Sequence, residues 1–144
     1  MRSKLLNAGA ERTYALIFDT GDEPVSLITR FARENRIKAA RLSAIGAFSD
    51  VVLGYFDWQK KDYERIAVRE QVEVLSLLGD IALGEDRAPQ LHAHVVLGKR
   101  DATAHGGHLL EGHVRPTLEV MLIESPASLQ KIHDRDTGLA LIQV

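Results

Sequence analysis

Cysteine is absent from the 144 residues, which excludes disulfides and thiolate ligands and leaves histidine and carboxylate as the only strong metal ligands. No apolar run approaches the roughly 20 residues that span a bilayer. The N-terminal MRSKLLNAGAERTY has no apolar core of signal-peptide length. These absences read as a cytoplasmic protein. There is no low-complexity tract and no internal repeat. An excess of either charge is also lacking, with 18 Lys and Arg against 20 Asp and Glu, a net of −2. That balance argues against a broad nucleic-acid or anionic-membrane surface and leaves room only for a local basic patch. The composition that remains, 45% hydrophobic and 26% charged, suits one globular domain over 1–144 with a real core.

Against this ordinary background one stretch stands out. Leu91 to Glu119, LHAHVVLGKRDATAHGGHLLEGHVRPTLE, holds five of the six histidines. Leu91 to Gly98 alternates and then turns apolar, as a strand does. Lys99 to Thr103 is polar and short enough for a hairpin loop, and Ala104 to Leu110 is the returning strand. With the turn centred on Asp101, opposed residues have numbers summing to 202. His94 then faces His108, and His92 faces Leu110. Opposed residues, and residues two apart on a strand, share a sheet face. His92, His94 and His108 therefore converge on one face while His105 points to the other. Three imidazoles on a rigid hairpin form a tetrahedral set with a fourth position for water or a ligand. Such a set suits zinc first, with nickel, copper or iron as alternatives. Glu73, Glu111 and Glu119 are the candidate carboxylates for orienting the rings. A single histidine is more often a surface or hydrogen-bonded core residue, so the case rests on the trio. His113, after Gly112, reads as structural or as an orienting neighbour.

The remaining segments supply the scaffold. Met1 to Ala10 is a loose lead-in and Arg12 to Phe18 a first strand. Asp22 is placed to cap a helix over Pro24 to Asn35, whose Leu27, Ile28 and Phe31 fall at helical spacing. Lys38 to Gly46 and Phe48 to Trp58 read as two strands, with a bulge at Gly54. Gln71 to Leu78 is another strand, ended by Gly79-Asp80, with Glu73 on the face of Leu75 and Leu77. Val114 to Glu124 carries a polar row, Arg115, Thr117 and Glu119, opposite Pro116, Leu118, Val120 and Leu122. Pro116 suggests an edge or an irregular start. After it come a short turn or helix, a polar loop with an exposed His133, and a closing strand over 139–144. About eight strands and one principal helix define an α+β fold, mainly antiparallel, with the helix packed on the sheet. Open edges in such a sheet are often covered by oligomerisation.

LHAHVVLG followed by GGHLLEGHVRPTLEV resembles the core signature of the PPC domain, plants and prokaryotes conserved, also called DUF296. RTYALIFDTGDEPVSLITRFARENRI resembles that family's first strand and helix, and AARLSAIGAFSDVVLGYFD its next hairpin. VEVLSLLGDIAL resembles its Glu-X-Leu-Ser-Leu-X-Gly segment. The likeness covers roughly Arg12 to Glu124. It implies a compact α+β domain assembled as a homotrimer. In some prokaryotic members zinc is held by the His-X-His and Gly-Gly-His motifs, which map here onto His92, His94 and His108. Plant members bind AT-rich DNA through AT-hook segments, and the Arg-Gly-Arg-Pro core of that element is absent here. The family's hairpin often turns on Asp-Gly, where this chain has Asp101-Ala102.

Three functions are compatible with these features, in decreasing order of support. The first is a homotrimeric zinc-binding module with a regulatory or small-ligand role. The second is a zinc-dependent hydrolase or hydratase, with Glu73 or Glu119 moving protons. The third is a DNA-binding protein without an AT-hook, which the net charge opposes.

Overall fold

Alternating apolar residues dictate most of the architecture. The computed structural model describes residues 1–144 as nine strands and one helix. The first two strands, β1 (Arg2–Asn7) and β2 (Thr13–Asp19), are antiparallel. In β2 the alternate residues Tyr14, Leu16 and Phe18 are buried. The helix α1 (Pro24–Glu34) follows and turns Ile28, Phe31 and Ala32 into the same core. The sheet continues with β3 (Ala39–Asp57), β4 (Asp62–Val68), β5 (Val72–Leu83), β6 (Pro89–Gly98) and β7 (Ala104–Glu124). It ends with β8 (Gln130–His133) and β9 (Ala140–Gln143). The expected α+β class, mainly antiparallel with one helix on the sheet, is what forms. No helix is long and apolar enough to cross a membrane.

Strands β3, β5, β6 and β7 pair in a closed circuit, because β3 pairs with both β5 and β7, and β6 pairs with the same two. One row, Val120, Ala44, Leu77 and Val95 of this circuit with Leu16 of β2 beside them, faces the core. The next row, Met121, Ser43, Leu78, His94 and His108, lies on the opposite face. The sheet is therefore two-faced, and the histidines sit on the face turned away from the core.

Several local expectations change in the tertiary context. The lead-in is a strand, since β1 finds an edge on β2. Glu23, not Asp22, caps α1: its carboxylate accepts from Val25 N at 3.0 Å and Ser26 N at 2.7 Å. Asp22 instead lies 2.7 Å from the N-terminal ammonium. The segments on either side of Gly46 are one strand, as are those on either side of Leu110. At Gly46 the missing side chain permits close approach, because a Cβ there would lie 2.3 Å from the Thr117 carbonyl oxygen. Pro116 sits inside β7, where β2 has ended at Thr117 and the β3 register jumps from Leu118 to Val114. Its missing N–H therefore costs no ladder bond. It is exposed rather than on the buried face of Leu118, Val120 and Leu122.

Candidate metal centre

The β6–β7 hairpin takes the anticipated register. His94 pairs with His108 and Gly98 with Ala104. Asp101 pins the turn by accepting from Thr103 N at 3.0 Å and Thr103 Oγ1 at 2.6 Å. Ala102 carries the left-handed backbone, φ 65°, that glycine adopts more readily. Since the turn is short, the register is fixed locally and His92, His94 and His108 meet. One ring nitrogen from each lies within 4.8 Å of the others. His92 Nε2 and His94 Nε2 are 3.2 Å apart, close to the edge of about 3.3 Å expected for a tetrahedron with metal–nitrogen bonds of 2.0–2.1 Å. His105 pairs with Leu97 and is exposed on the other side of the hairpin.

The rings hold one another in place. His108 stacks with Tyr63, centroids 4.5 Å apart, and with His92 at 5.1 Å. His94 stands nearly perpendicular to both other histidines, at 80° and 86°. Tyr63 reaches His108 across Gly54, where a Cβ would come within 2.7 Å of the tyrosine ring. Burial, followed by the charge of His92, His94 and Lys131, pushes His108 down to about 4. Burial and His92 also lower His94. Both rings are thus neutral near pH 7, the form that ligates a metal. His108 Nδ1 is buried without a hydrogen-bond partner, a cost of about 1–3 kcal/mol that a ligand would remove. The donor set fits a divalent metal that favours nitrogen, zinc foremost.

The carboxylate beside the rings is one the sequence did not single out. Asp80 Oδ2 lies 3.3 Å from His92 Nδ1, and Lys131 Nζ lies 2.7 Å from Asp80 Oδ1. Burial pushes the Asp80 carboxyl up, but its contacts with His92 and Lys131 outweigh this and hold it below the usual range. A carboxylate on the far nitrogen of a ligating histidine fixes tautomer and orientation. Glu73, Glu111 and Glu119 do not play this part. Glu111 pairs with Arg65 at 3.3 Å, and Glu119 stands exposed opposite Ile17 and Ile45. Glu73 lines a separate cleft with Lys99 and Arg100. It shares no face with Leu77, because a bulge at Leu75 shifts the strand's phase: Glu73 and Leu75 are exposed, whereas Val72, Val74 and Leu77 are buried. His113 pairs with Asp50 at 2.8 Å, apart from the trio. Asp80 was legible in principle, since it faces His92 across the β5–β6 hairpin, but Gly79-Asp80 looked like a strand end. Lys131 gave no signal, because β8 lay in a segment that reads as turn and loop. It is 5% exposed, and with Tyr63 and Leu141 it walls a cavity of about 200 Å³ beside His92 and His108.

Fold and site together define a small antiparallel-sheet protein with a three-histidine constellation on a hairpin. Residues 6–126 match the Plants and Prokaryotes Conserved (PCC) domain. The chain belongs to this family, whose name is also shortened to PPC. It is similar to a PPC protein of Pyrococcus horikoshii, with 33% identity over 92% of each chain and a TM-score of 0.86. It is similar to a metal-containing protein of Archaeoglobus fulgidus, with 34% identity over 99% of this chain and 97% of that one, at a TM-score of 0.84. A protein of Ralstonia eutropha JMP134 whose name provisionally assigns it to DNA binding shares 26% identity over 91% and 90% of the two chains, at a TM-score of 0.85. No protein of curated function matches the chain.

Proposed function

We propose that this protein is a zinc-binding module that assembles as a homotrimer and offers a small ligand one open position at His92, His94 and His108. The observation that carries this reading is the convergence of three ring nitrogens within 4.8 Å on one rigid hairpin. The description of the Archaeoglobus neighbour as metal-containing agrees with it. Self-association is supported by the sheet face that bears the histidines. Ile45, Leu78, Val96 and Met121 lie there at 62, 62, 43 and 42% exposure, and a contiguous apolar face of this kind usually marks a protein contact.

A zinc ion held by three imidazoles supplies a Lewis acid with an exchangeable position. The chain's own residues do the rest. Asp80 accepts from His92 Nδ1 and leaves Nε2 free as a donor atom. Lys131 holds Asp80 in place, and Tyr63 keeps the His108 ring from rotating. The cavity walled by Tyr63, Lys131 and Leu141 favours a second reading, a zinc-dependent hydrolase or hydratase acting on a small substrate. DNA binding, which the Ralstonia neighbour's name suggests, has no support at this site, and the net charge of −2 opposes it.

Elemental mass spectrometry of the tag-free protein tests the metal. About one zinc per chain is expected, lost in His92→Ala, His94→Ala and His108→Ala with the fold intact. A wild-type chain that takes up no zinc when it is offered ends both the module and the enzyme readings. A zinc-loaded chain inert toward esters, phosphates and carbon dioxide keeps the first and removes the second.

A further inference from the structure

A second site lies away from the histidines. Arg33 in the last turn of α1, Arg36 and Lys38 in the link to β3, and Arg87 in the β5–β6 turn line one cleft of about 320 Å³. Its floor is apolar, formed by the buried Ile37 and the half-buried Leu83. The size falls at the lower end of small-molecule pockets. None of the four cations makes an ion pair or a side-chain hydrogen bond, although Arg12, Lys99 and Lys131 elsewhere each pair with a carboxylate. In a chain of net charge −2, four unpaired positive groups around one concavity are a local reversal of field.

Two of the four are also held in costly backbone. Arg36 has φ 56° and Arg87 φ 61°, a left-handed conformation that costs a residue with a side chain about 1–2 kcal/mol and that glycine adopts freely. A turn selected for stability alone would take glycine or asparagine at these places. Arg33 and Arg36 complement the negative end of α1. Arg87 arrives from a different turn and adds charge beyond that need. We propose that this cleft binds a small phosphorylated molecule carrying at least two negative charges, with its apolar portion on Ile37 and Leu83. Guanidinium groups match phosphate oxygens in a planar, two-pronged fashion, and no carboxylate lines the cleft to compete for them. The Ser128 hydroxyl at the rim adds a neutral donor.

Equilibrium dialysis of the full chain with radiolabelled ADP and, separately, pyrophosphate tests this at low and moderate salt. One site per chain is expected for each probe, weakening as salt rises. Arg36→Gly and Arg87→Gly should each weaken binding by about tenfold or more, the loss of one charged hydrogen bond. Both variants suit the left-handed backbone, so their urea midpoints should hold or rise. If either glycine variant loses stability, Arg33→Gln and Lys38→Gln, at residues without a left-handed backbone, give the same reading. Absence of binding, or binding that is unchanged in all these variants, overturns the proposal. So does tight binding of a short DNA duplex that neither probe displaces, which would make the cleft part of a nucleic-acid surface.

Discussion

Lys131 places its ammonium 2.7 Å from Asp80 Oδ1, joining the C-terminal hairpin to the strand that faces His92. The lysine is nearly inaccessible and the aspartate 30% exposed, so the pair is mostly desolvated at one end. Removing one member of a buried pair strands the other charge, and partial solvent access to Asp80 moderates the cost. Lys131→Met should therefore lower stability in urea by about 1–3 kcal/mol. Asp80→Asn should weaken zinc affinity by about 10–100-fold through the orientation of His92. Unchanged zinc affinity in Asp80→Asn would remove the aspartate from the metal centre.

Gly54 should matter to the site although it touches no metal. A methyl group there meets the Tyr63 ring at 2.7 Å and Leu110 at 3.3 Å. Gly54→Ala should push Tyr63 off His108 and destabilise the fold by about 1–3 kcal/mol, the usual cost of overpacking. Tyr63→Leu isolates the stacking term and should weaken zinc binding while keeping most of the stability. If zinc affinity in Tyr63→Leu equals that of the wild type, Tyr63 is only a cavity wall.

His113 and Asp50 give the chain a local pH dependence. The hydrogen bond that His113 Nδ1 donates to Asp50 raises His113 above its ordinary 6.5, and the bonds Asp50 accepts from His113 and Ser49 hold it below 3.8. The histidine's contribution is full below pH 6.5 and fades as pH rises through its raised pKa. The aspartate's is full above 3.8 and fades as pH falls through its lowered pKa. The pair thus stabilises most between these limits. Both groups are close to half exposed, so solvent screening limits the effect to about 0.2–1 kcal/mol. In Asp50→Asn the NMR titration midpoint of His113 should fall, and the stability difference from wild type should shrink above neutral pH. A His113 midpoint that does not move would show the contact to be absent in solution.

The apolar sheet face predicts association. Leu78 is 62% exposed, and it is paired with His94 on one side and Ser43 on the other. Leu78→Glu should convert a trimer to monomers in light scattering at micromolar concentration, because a carboxylate buried at a contact is costly. A wild-type chain that stays monomeric across a concentration series would dispose of the trimer.

Much was decided by the sequence alone, and it was the short-range part. The strands that carry the His-X-His pair and the Gly-Gly-His triplet are joined by five residues, Lys99 to Thr103, so a single turn geometry sets their register and brings His92, His94 and His108 together. The strand over Arg12 to Phe18 was likewise legible, and helical spacing marked Ile28 and Phe31. The family was legible from the same motifs. The tertiary structure decided what depends on distant partners. Whether Glu73 shares a face with Leu77 turned on a bulge at Leu75, and whether Gly46 breaks a strand turned on how closely Thr117 passes. Asp80, Tyr63 and Lys131 reach the histidines only because β5, β4 and β8 stack beside the hairpin. Alternation fixes which face a residue takes within one strand. Only the pairing of strands far apart in the chain fixes which residue of another strand lies opposite.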